Sequence, residues 1–153
     1  MSCYKITRPL QRRPADFGNA LRSKEFKREL LSFLKDEWLN PAYASILEGH
    51  SFYFATESNC YLYIAPDEHV QRQEIPELES NHEEADTRLI FHANIAAEVH
   101  EGLIPNVVVR SIDTDVFILL VHHSKFINAQ LWMDAGINAK NTRRLINISE
   151  LAG

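Results

Sequence analysis

Cysteine is scarce in this chain of 153 residues, and its two cysteines, Cys3 and Cys60, lie far apart. They form neither a CxxC pair nor the ligand spacing of a zinc finger, which argues against a structural zinc site. Few cysteines, together with the lack of a secretory signal pattern, predict a reducing compartment inside the cell, either nuclear or cytoplasmic.

Long apolar runs are missing too. The longest, Val116 to Val121, is far shorter than the ~20 residues of a membrane-spanning helix, so we expect no membrane partner. A general excess of basic residues is also missing, because the formal net charge is -5. Any contact with nucleic acid therefore requires a local basic patch.

One local basic patch lies near the start of the chain. Its members are Arg8, Arg12, Arg13, Arg22, Lys24, Lys27 and Arg28. Charge runs of this kind usually form solvated surfaces, so we favour a solvated tail and helix face over a binding site. The content of apolar residues, 45%, is ordinary for a globular protein, and the length suits one domain with a substantial core.

The sequence of the first half of the chain predicts an irregular segment, two helices and a hairpin. Residues 1–20 carry prolines and no periodicity. A helix is predicted from an N-cap at Ser23 to about Leu39, because the residue before Pro41 is disfavoured in a helix. A shorter helix to Leu47 follows. Aromatic and β-branched residues then predict strands at 51–55 and 60–64, with a polar edge strand at 69–75.

The second half alternates between helix and strand, which is typical of α/β folds. A helix is predicted from an N-cap at Asn81 to just before Gly102. A strand of buried valines spans 106–110, and Ser111 is predicted to cap a helix over 113–123. Two short strands, 130–133 and 145–148, complete the pattern.

Two acidic motifs stand one helix and one strand apart. The first is Glu83-Glu84-Ala85-Asp86, and the second is Ser111-Ile112-Asp113-Thr114-Asp115. Carboxylates at the start of a helix and at the carboxyl end of the next strand can meet on one rim of an α/β sheet. Such a group would repel itself unless a hard divalent cation, Mg²⁺ or Mn²⁺, neutralised it. Alternatively, the negative charges of these residues only stabilise the N-termini of two helices by interacting with the helix macrodipole, and no metal is bound.

Both motifs resemble those of a nuclease family. Glu84-Ala85-Asp86 is similar to the Glu-Ala-Glu helix of flap-endonuclease-like PIN nucleases, and residues 111–115 resemble their Ser/Thr-x-Asp-x-Asp motif. The wider runs resemble a group of uncharacterised, transposon-associated animal proteins with a PIN-like domain, well over residues 78–151. The runs are LESNHEEADTRLIFHA, VVVRSIDTDVFILLVHH, LWMDAG and, upstream, FLKDEWLNPAYASIL.

This resemblance implies a fold, a cofactor and a reaction. The implied fold is a PIN-like open sheet, largely parallel, flanked by helices and carrying a β-hairpin insertion, in one domain over residues 21–153. The implied reaction is hydrolysis of phosphodiester bonds in DNA or RNA by two bound Mg²⁺ or Mn²⁺ ions, with no small-molecule cofactor. The resemblance makes Glu84, Asp86, Asp113 and Asp115 ligands, with Glu83 a further ligand or an outer-sphere partner.

One departure from the family weakens the expected activity. PIN nucleases place another metal-binding aspartate at the end of their first strand, but here Asp16 follows no strand and Asp36 falls inside a predicted helix. The chain is therefore expected to lack that strand, to be incomplete at its N-terminus, and to have weak or lost activity. Asp134 is predicted to serve as a helix cap or in a turn beside Gly136 rather than to bind metal.

Two alternatives to a nuclease stay open. One is a non-catalytic remnant that binds a protein or a nucleic acid, although the sequence names no protein partner. The other is a small α/β module in which the acidic residues only cap helices.

Overall fold

The computed structural model of the chain describes residues 5–79, 85–98, 102–136 and 144–153. The chain divides into two compact units, Met1–Glu79 and Ser80–Gly153. We call them the N-terminal unit and the C-terminal unit. A division into two compact units does not by itself make each unit an independently folding domain. The single domain expected over residues 21–153 therefore stays a prediction.

The described part of the N-terminal unit contains three α-helices and three strands. They are α1 Phe17–Ala20, α2 Lys24–Glu37, α3 Ala44–Leu47, β1 Phe52–Ala55, β2 Cys60–Ile64 and β3 Gln71–Glu74. Short 3₁₀ helices occupy Pro41–Tyr43 and Pro76–Leu78.

The predicted helix after Ser23 is confirmed. The Ser23 hydroxyl accepts a hydrogen bond from the Phe26 backbone amide at 3.3 Å, which caps α2. The helix ends at Glu37, ahead of Pro41 as expected. The Asn40 side chain then accepts from the Ala42 amide at 3.0 Å and starts the 3₁₀ helix that leads into α3.

The three strands of this unit form an antiparallel sheet in the order β1-β2-β3. The predicted hairpin and polar edge strand are both confirmed. Trp38, directly after α2, packs edge-on against three rings of this sheet. Its ring centroid lies 4.9 Å from that of Phe52, 4.7 Å from Phe54 and 6.1 Å from Tyr63. These contacts join α2 to the sheet and form the aromatic core of the unit.

A polar clamp supports the same junction from the edge strand. Arg72 donates to the Lys35 carbonyl and to Asp36 Oδ1, both at 3.0 Å. The fully buried Tyr63 donates its hydroxyl to the same carbonyl. The hydrogen bond to Asp36 raises the pKa of Arg72, and burial raises the pKa of Tyr63. The last turn of α2 is thus tied to both β2 and β3.

The described part of the C-terminal unit contains three α-helices, three strands and one 3₁₀ helix. They are α4 Ala85–Glu98, β4 Asn106–Arg110, α5 Thr114–His123, 3₁₀ helix Ser124–Phe126, β5 Gln130–Asp134, β6 Leu145–Asn147 and α6 Ile148–Leu151. The sheet order is β4-β5-β6. The core is aliphatic, and Leu120, Leu131 and Ile148 are fully buried in it.

The expected largely parallel open sheet is wrong. The structure has two small three-stranded sheets, one antiparallel and one mixed, in which β4 pairs parallel with β5 and β5 pairs antiparallel with β6. Short loops join β1, β2 and β3, and short loops permit only antiparallel pairing. The expected β-hairpin insertion is therefore the start of a separate sheet, while the crossover through α5 allows a single parallel pair.

Strand β4 also differs from the expected buried valine strand. Among the described strands it pairs with β5 alone and lies at the edge of the sheet. Val109 is buried, but Val108 is 48% exposed, because alternate residues of a strand face opposite sides of the sheet. Only one face of β4 thus packs against the aliphatic core.

None of the described helices is long and apolar enough to cross a membrane.

Candidate metal-binding site

The parallel pair of the C-terminal unit brings two acidic segments to one edge of the sheet. Arg110, the last residue of β4, lies opposite Asp134, the last residue of β5. Directly after Arg110, the backbone amide of Ser111 donates a hydrogen bond to the Asp134 carbonyl at 3.1 Å. Parallel strands end at the same edge, so the turns that carry Asp113 and Asp134 begin side by side.

Asp113 is the N-cap of α5. Its backbone is extended (φ -80°, ψ 125°), and its Oδ1 accepts from the Asp115 amide at 2.9 Å. The prediction that Ser111 caps this helix is wrong. Ser111 lies two residues earlier, and its hydroxyl accepts from the Asp113 amide at 3.2 Å. Ser111 therefore shapes the turn, and Asp113 satisfies the open amides of the helix.

Asp134 is a buried carboxylate at this edge, with only 9% of its surface exposed. Its Oδ1 accepts from the Gly136 amide at 3.1 Å, so the predicted turn role beside Gly136 is confirmed. The sequence signal for its burial was modest: an acidic residue that directly follows the apolar run Leu131-Trp132-Met133. Such a residue stands at the carboxyl end of a strand, where α/β folds place their sites.

Asp86 lies on a different element, in the first turn of α4, and is half-buried. This helix contacts both α5 and β4. Six residues further along the same helix lies His92, which is half-buried, and its Nε2 has no hydrogen-bond partner among the described residues. Burial, and then the charge of Arg88, lower the pKa of His92.

The five predicted site residues are thus distributed unevenly. Asp113 and Asp115 share the first turn of α5 and are exposed, whereas Asp86 begins α4. Glu83 and Glu84, and with them the capping pattern predicted from Asn81, lie outside the described residues.

Carboxylates are the donor type that Mg²⁺ and Mn²⁺ prefer. Within the described parts of the chain, however, no three His, Cys, Asp or Glu side chains are grouped so that they could hold a metal ion. The metal site stays a prediction.

Comparison with known proteins finds no matching family model, no matching curated protein and no matching solved structure. The similarity of the two acidic motifs to those of PIN nucleases therefore remains a prediction from the sequence.

Proposed function

We propose that the C-terminal unit binds a divalent cation, Mg²⁺ or Mn²⁺, and hydrolyses phosphodiester bonds of DNA or RNA with low activity. One observation carries the proposal. The parallel strands β4 and β5 end together, and the residues that follow or close them include Asp113, Asp115 and the buried Asp134. Carboxylates at this edge of a parallel pair are positioned as α/β enzymes position their sites.

Each acidic residue has a proposed role. Asp113 and Asp115, after β4, and Asp86, on α4, would hold the cation, and Glu83 or Glu84 would supply a further carboxylate. Capping uses one oxygen of Asp113, and a carboxylate has lone pairs for further partners. Asp134 positions the site, because it holds its own turn through Gly136 while its carbonyl anchors Ser111. The cation, when bound, would polarise the phosphodiester and activate water.

Low activity follows from the size of the ligand set. The nuclease motifs that this chain resembles include a further aspartate at the end of a first strand, whereas the first strand of the described residues, β1, ends at Ala55. With fewer ligands a second cation would be held poorly, and the attacking water and the leaving oxygen would be positioned less well. Misplacement by about 1 Å can cost about 100-fold in rate.

The non-catalytic alternative is favoured by one specific observation. The carboxylate of Asp113 caps α5, and Asp115 lies in the first turn, where the macrodipole stabilises a negative charge. Both residues would be useful in this unit without any cation. In that case the C-terminal unit would be a binding module that has no hydrolytic chemistry.

A substitution that keeps the cap and removes the charge separates these functions. Asparagine caps helices about as well as aspartate, so Asp113→Asn should leave the metal-free melting temperature nearly unchanged. The matched control is Asp16→Asn, because Asp16 caps α1 by accepting from the Asn19 amide at 3.0 Å. We expect Mn²⁺ to raise the melting temperature of the wild type and of Asp16→Asn, but not that of Asp113→Asn.

Cleavage is measured in parallel with fluorescent single-stranded and branched oligonucleotides in millimolar Mn²⁺. We expect slow cleavage by the wild type and none by Asp113→Asn. An equal response of wild type and Asp113→Asn to Mn²⁺, without cleavage, would favour the non-catalytic module. Fast cleavage that Asp113→Asn abolishes would support the reaction and contradict the low activity.

A further inference from the structure

We propose that residues 5–35 of the N-terminal unit form a binding surface for single-stranded nucleic acid. Arginines and lysines contact the phosphates, and an apolar cavity accepts a base. The choice of nucleic acid among polyanions rests on the proposed function, whereas the surface itself is argued from charge, order and shape. It does not involve the acidic residues of the C-terminal unit.

The charge of the chain is strongly asymmetric. Residues 5–35 hold nine lysines and arginines against three aspartates and glutamates, while the rest of the chain holds seven against eighteen. In the structure, Arg8, Arg12 and Arg13 are exposed, as are Lys24 and Lys27 at the start of α2. A local positive surface on an acidic protein attracts phosphates while the remaining surface repels them, which directs a polyanion to one place.

The segment ahead of α1 is held in a defined turn. Gln11 accepts from the Thr7 amide at 2.8 Å, donates through its side chain to the Lys5 carbonyl at 2.7 Å, and donates through its backbone to the Arg8 carbonyl at 3.2 Å. A single glutamine side chain thereby closes the loop that presents Arg8. Binding to such an ordered loop loses less conformational entropy than binding to a flexible tail.

A cavity of about 210 Å³ lies between this segment and α2. The residues that line it include Phe17, Phe26 and Phe33, together with Arg8 and Arg13. The rings of Phe17 and Phe26 meet edge-on at 6.0 Å, and the guanidinium of Arg13 lies 5.6 Å from the centre of the Phe17 ring. Aromatic rings beside guanidinium groups are the combination that holds an unstacked base and its phosphate.

The exposed face of α2 extends the surface. Lys27 and Arg28 follow Lys24 by three and four residues, so both are neighbours of Lys24 on the helix surface. Arg28 is paired with Glu57 at 3.2 Å, which reduces its effect on a phosphate. Lys24 and Lys27 are therefore the stronger phosphate contacts on the helix.

The shape of this surface favours a single strand over other anionic partners. A base must leave its stack to enter a cavity, which a single strand allows at little cost. An anionic membrane would instead require protruding apolar side chains, and in residues 5–35 only Leu10 stands out among the large apolar residues, at 94% exposure. One leucine buries too little area to anchor a protein to a bilayer.

The test uses the full chain in EDTA, so that no divalent cation or cleavage contributes. Fluorescence anisotropy compares a labelled oligothymidine with an abasic oligomer of the same length. Arg8→Glu/Arg13→Glu is the test variant. Lys125→Glu/Arg144→Glu, in the C-terminal unit, is the control with the same change of net charge. Melting temperatures check folding, and Arg8→Gln/Arg13→Gln repeats the test with a smaller change of charge.

We expect the test variant to bind oligothymidine at least ten-fold more weakly, and the control variant to bind within two-fold of wild type. Each lost phosphate contact on a single strand should also lower the slope of log K against log salt concentration by about 0.7. The abasic oligomer should bind wild type at least about five-fold more weakly, because a stacked base contributes on the order of 1 kcal/mol or more.

Three results would overturn the proposal: equal weakening by both double variants, equal binding of the abasic and the thymidine oligomers, or tighter binding to phosphatidylserine vesicles than to the oligonucleotide. A lack of binding at low salt would overturn it as well. None of these results changes the response of Asp113→Asn to Mn²⁺, so a failure here is distinct from a failure of the proposed hydrolysis.

Discussion

The two units of this chain are built on different cores. In the N-terminal unit, Trp38 contacts the rings of Phe52, Phe54 and Tyr63, so much of the packing converges on one side chain. In the C-terminal unit the buried residues are mainly aliphatic, and no aromatic residue holds a comparable central place in the described core. The stability of the N-terminal unit should therefore depend mainly on the few side chains around Trp38. The stability of the C-terminal unit should depend on many positions.

The units also differ in how their strands are connected. Short loops join the three strands of the first sheet, so it is antiparallel throughout. In the second unit α5 carries the chain from β4 back to the start of β5, so that pair is parallel. Only the second arrangement produces a shared carboxyl edge, and the candidate site lies at that edge.

The largest expected effect is loss of an aromatic contact in the N-terminal unit. Phe54→Ala removes a 9%-exposed ring beside Trp38 and should cost about 3–5 kcal/mol of unfolding free energy. The chain has two tryptophans, one in each unit, so each can report on its own unit. In a Trp132→Phe background, urea unfolding followed through Trp38 should shift strongly to lower urea.

Phe126→Ala serves as the control, because Phe126 is 68% exposed and its loss should change the free energy by less than about 0.5 kcal/mol. A small effect of Phe54→Ala would show that the aromatic contacts around Trp38 do not concentrate the stability of the first unit.

Leu131→Ala should have a slightly smaller effect, now in the C-terminal unit. Leu131 is fully buried in the aliphatic core, and its truncation should cost about 2–5 kcal/mol. In a Trp38→Phe background, the unfolding transition followed through Trp132 should move to lower urea. If Leu131→Ala moves the transition followed through Trp38, in the Trp132→Phe background, by the same amount, the two units unfold together and their stabilities cannot be compared separately.

The polar clamp of the N-terminal unit should contribute less. Arg72→Met keeps the side-chain stem but leaves the Lys35 carbonyl with one donor fewer, which should cost about 1 kcal/mol. Asp36→Asn removes only the ion pair. Because Asp36 is 68% exposed, this change should lower the free energy of unfolding by at most about 0.5 kcal/mol. Equal effects of both variants in thermal unfolding would show that the ion pair, rather than the carbonyl contact, supports the junction.

The smallest expected effect is a pH dependence from His92. Its pKa in the folded chain lies below the ordinary value of 6.5, because burial and the charge of Arg88 disfavour the protonated ring. Protonation therefore favours the unfolded chain, so this penalty is absent above pH 6.5 and grows as the pH falls below it. His92→Gln should reduce the change in the melting temperature of the C-terminal unit between pH 7.5 and 5.5.

Local elements could be predicted well from short-range patterns. The cap at Ser23, the stop before Pro41 and the hairpin strands all follow from backbone preferences of a few residues. The cap of α5 was assigned to Ser111 instead of Asp113, because both residue types cap helices and only the position of the first turn decides between them. The apolar run before Asp134 gave only a modest signal for its burial, because that burial also depends on the pairing of β5 with the distant strand β4.

The sequence by itself determined where helices and strands form, because capping residues, prolines and apolar periodicity act over a few residues. It also determined the asymmetry of charge between residues 5–35 and the rest of the chain. Only the tertiary structure decided that the strands divide into two sheets and that β4 is an edge strand with a single parallel partner. Strand pairing depends on which distant segments bury each other's apolar faces, and alternation along one strand does not specify its partner.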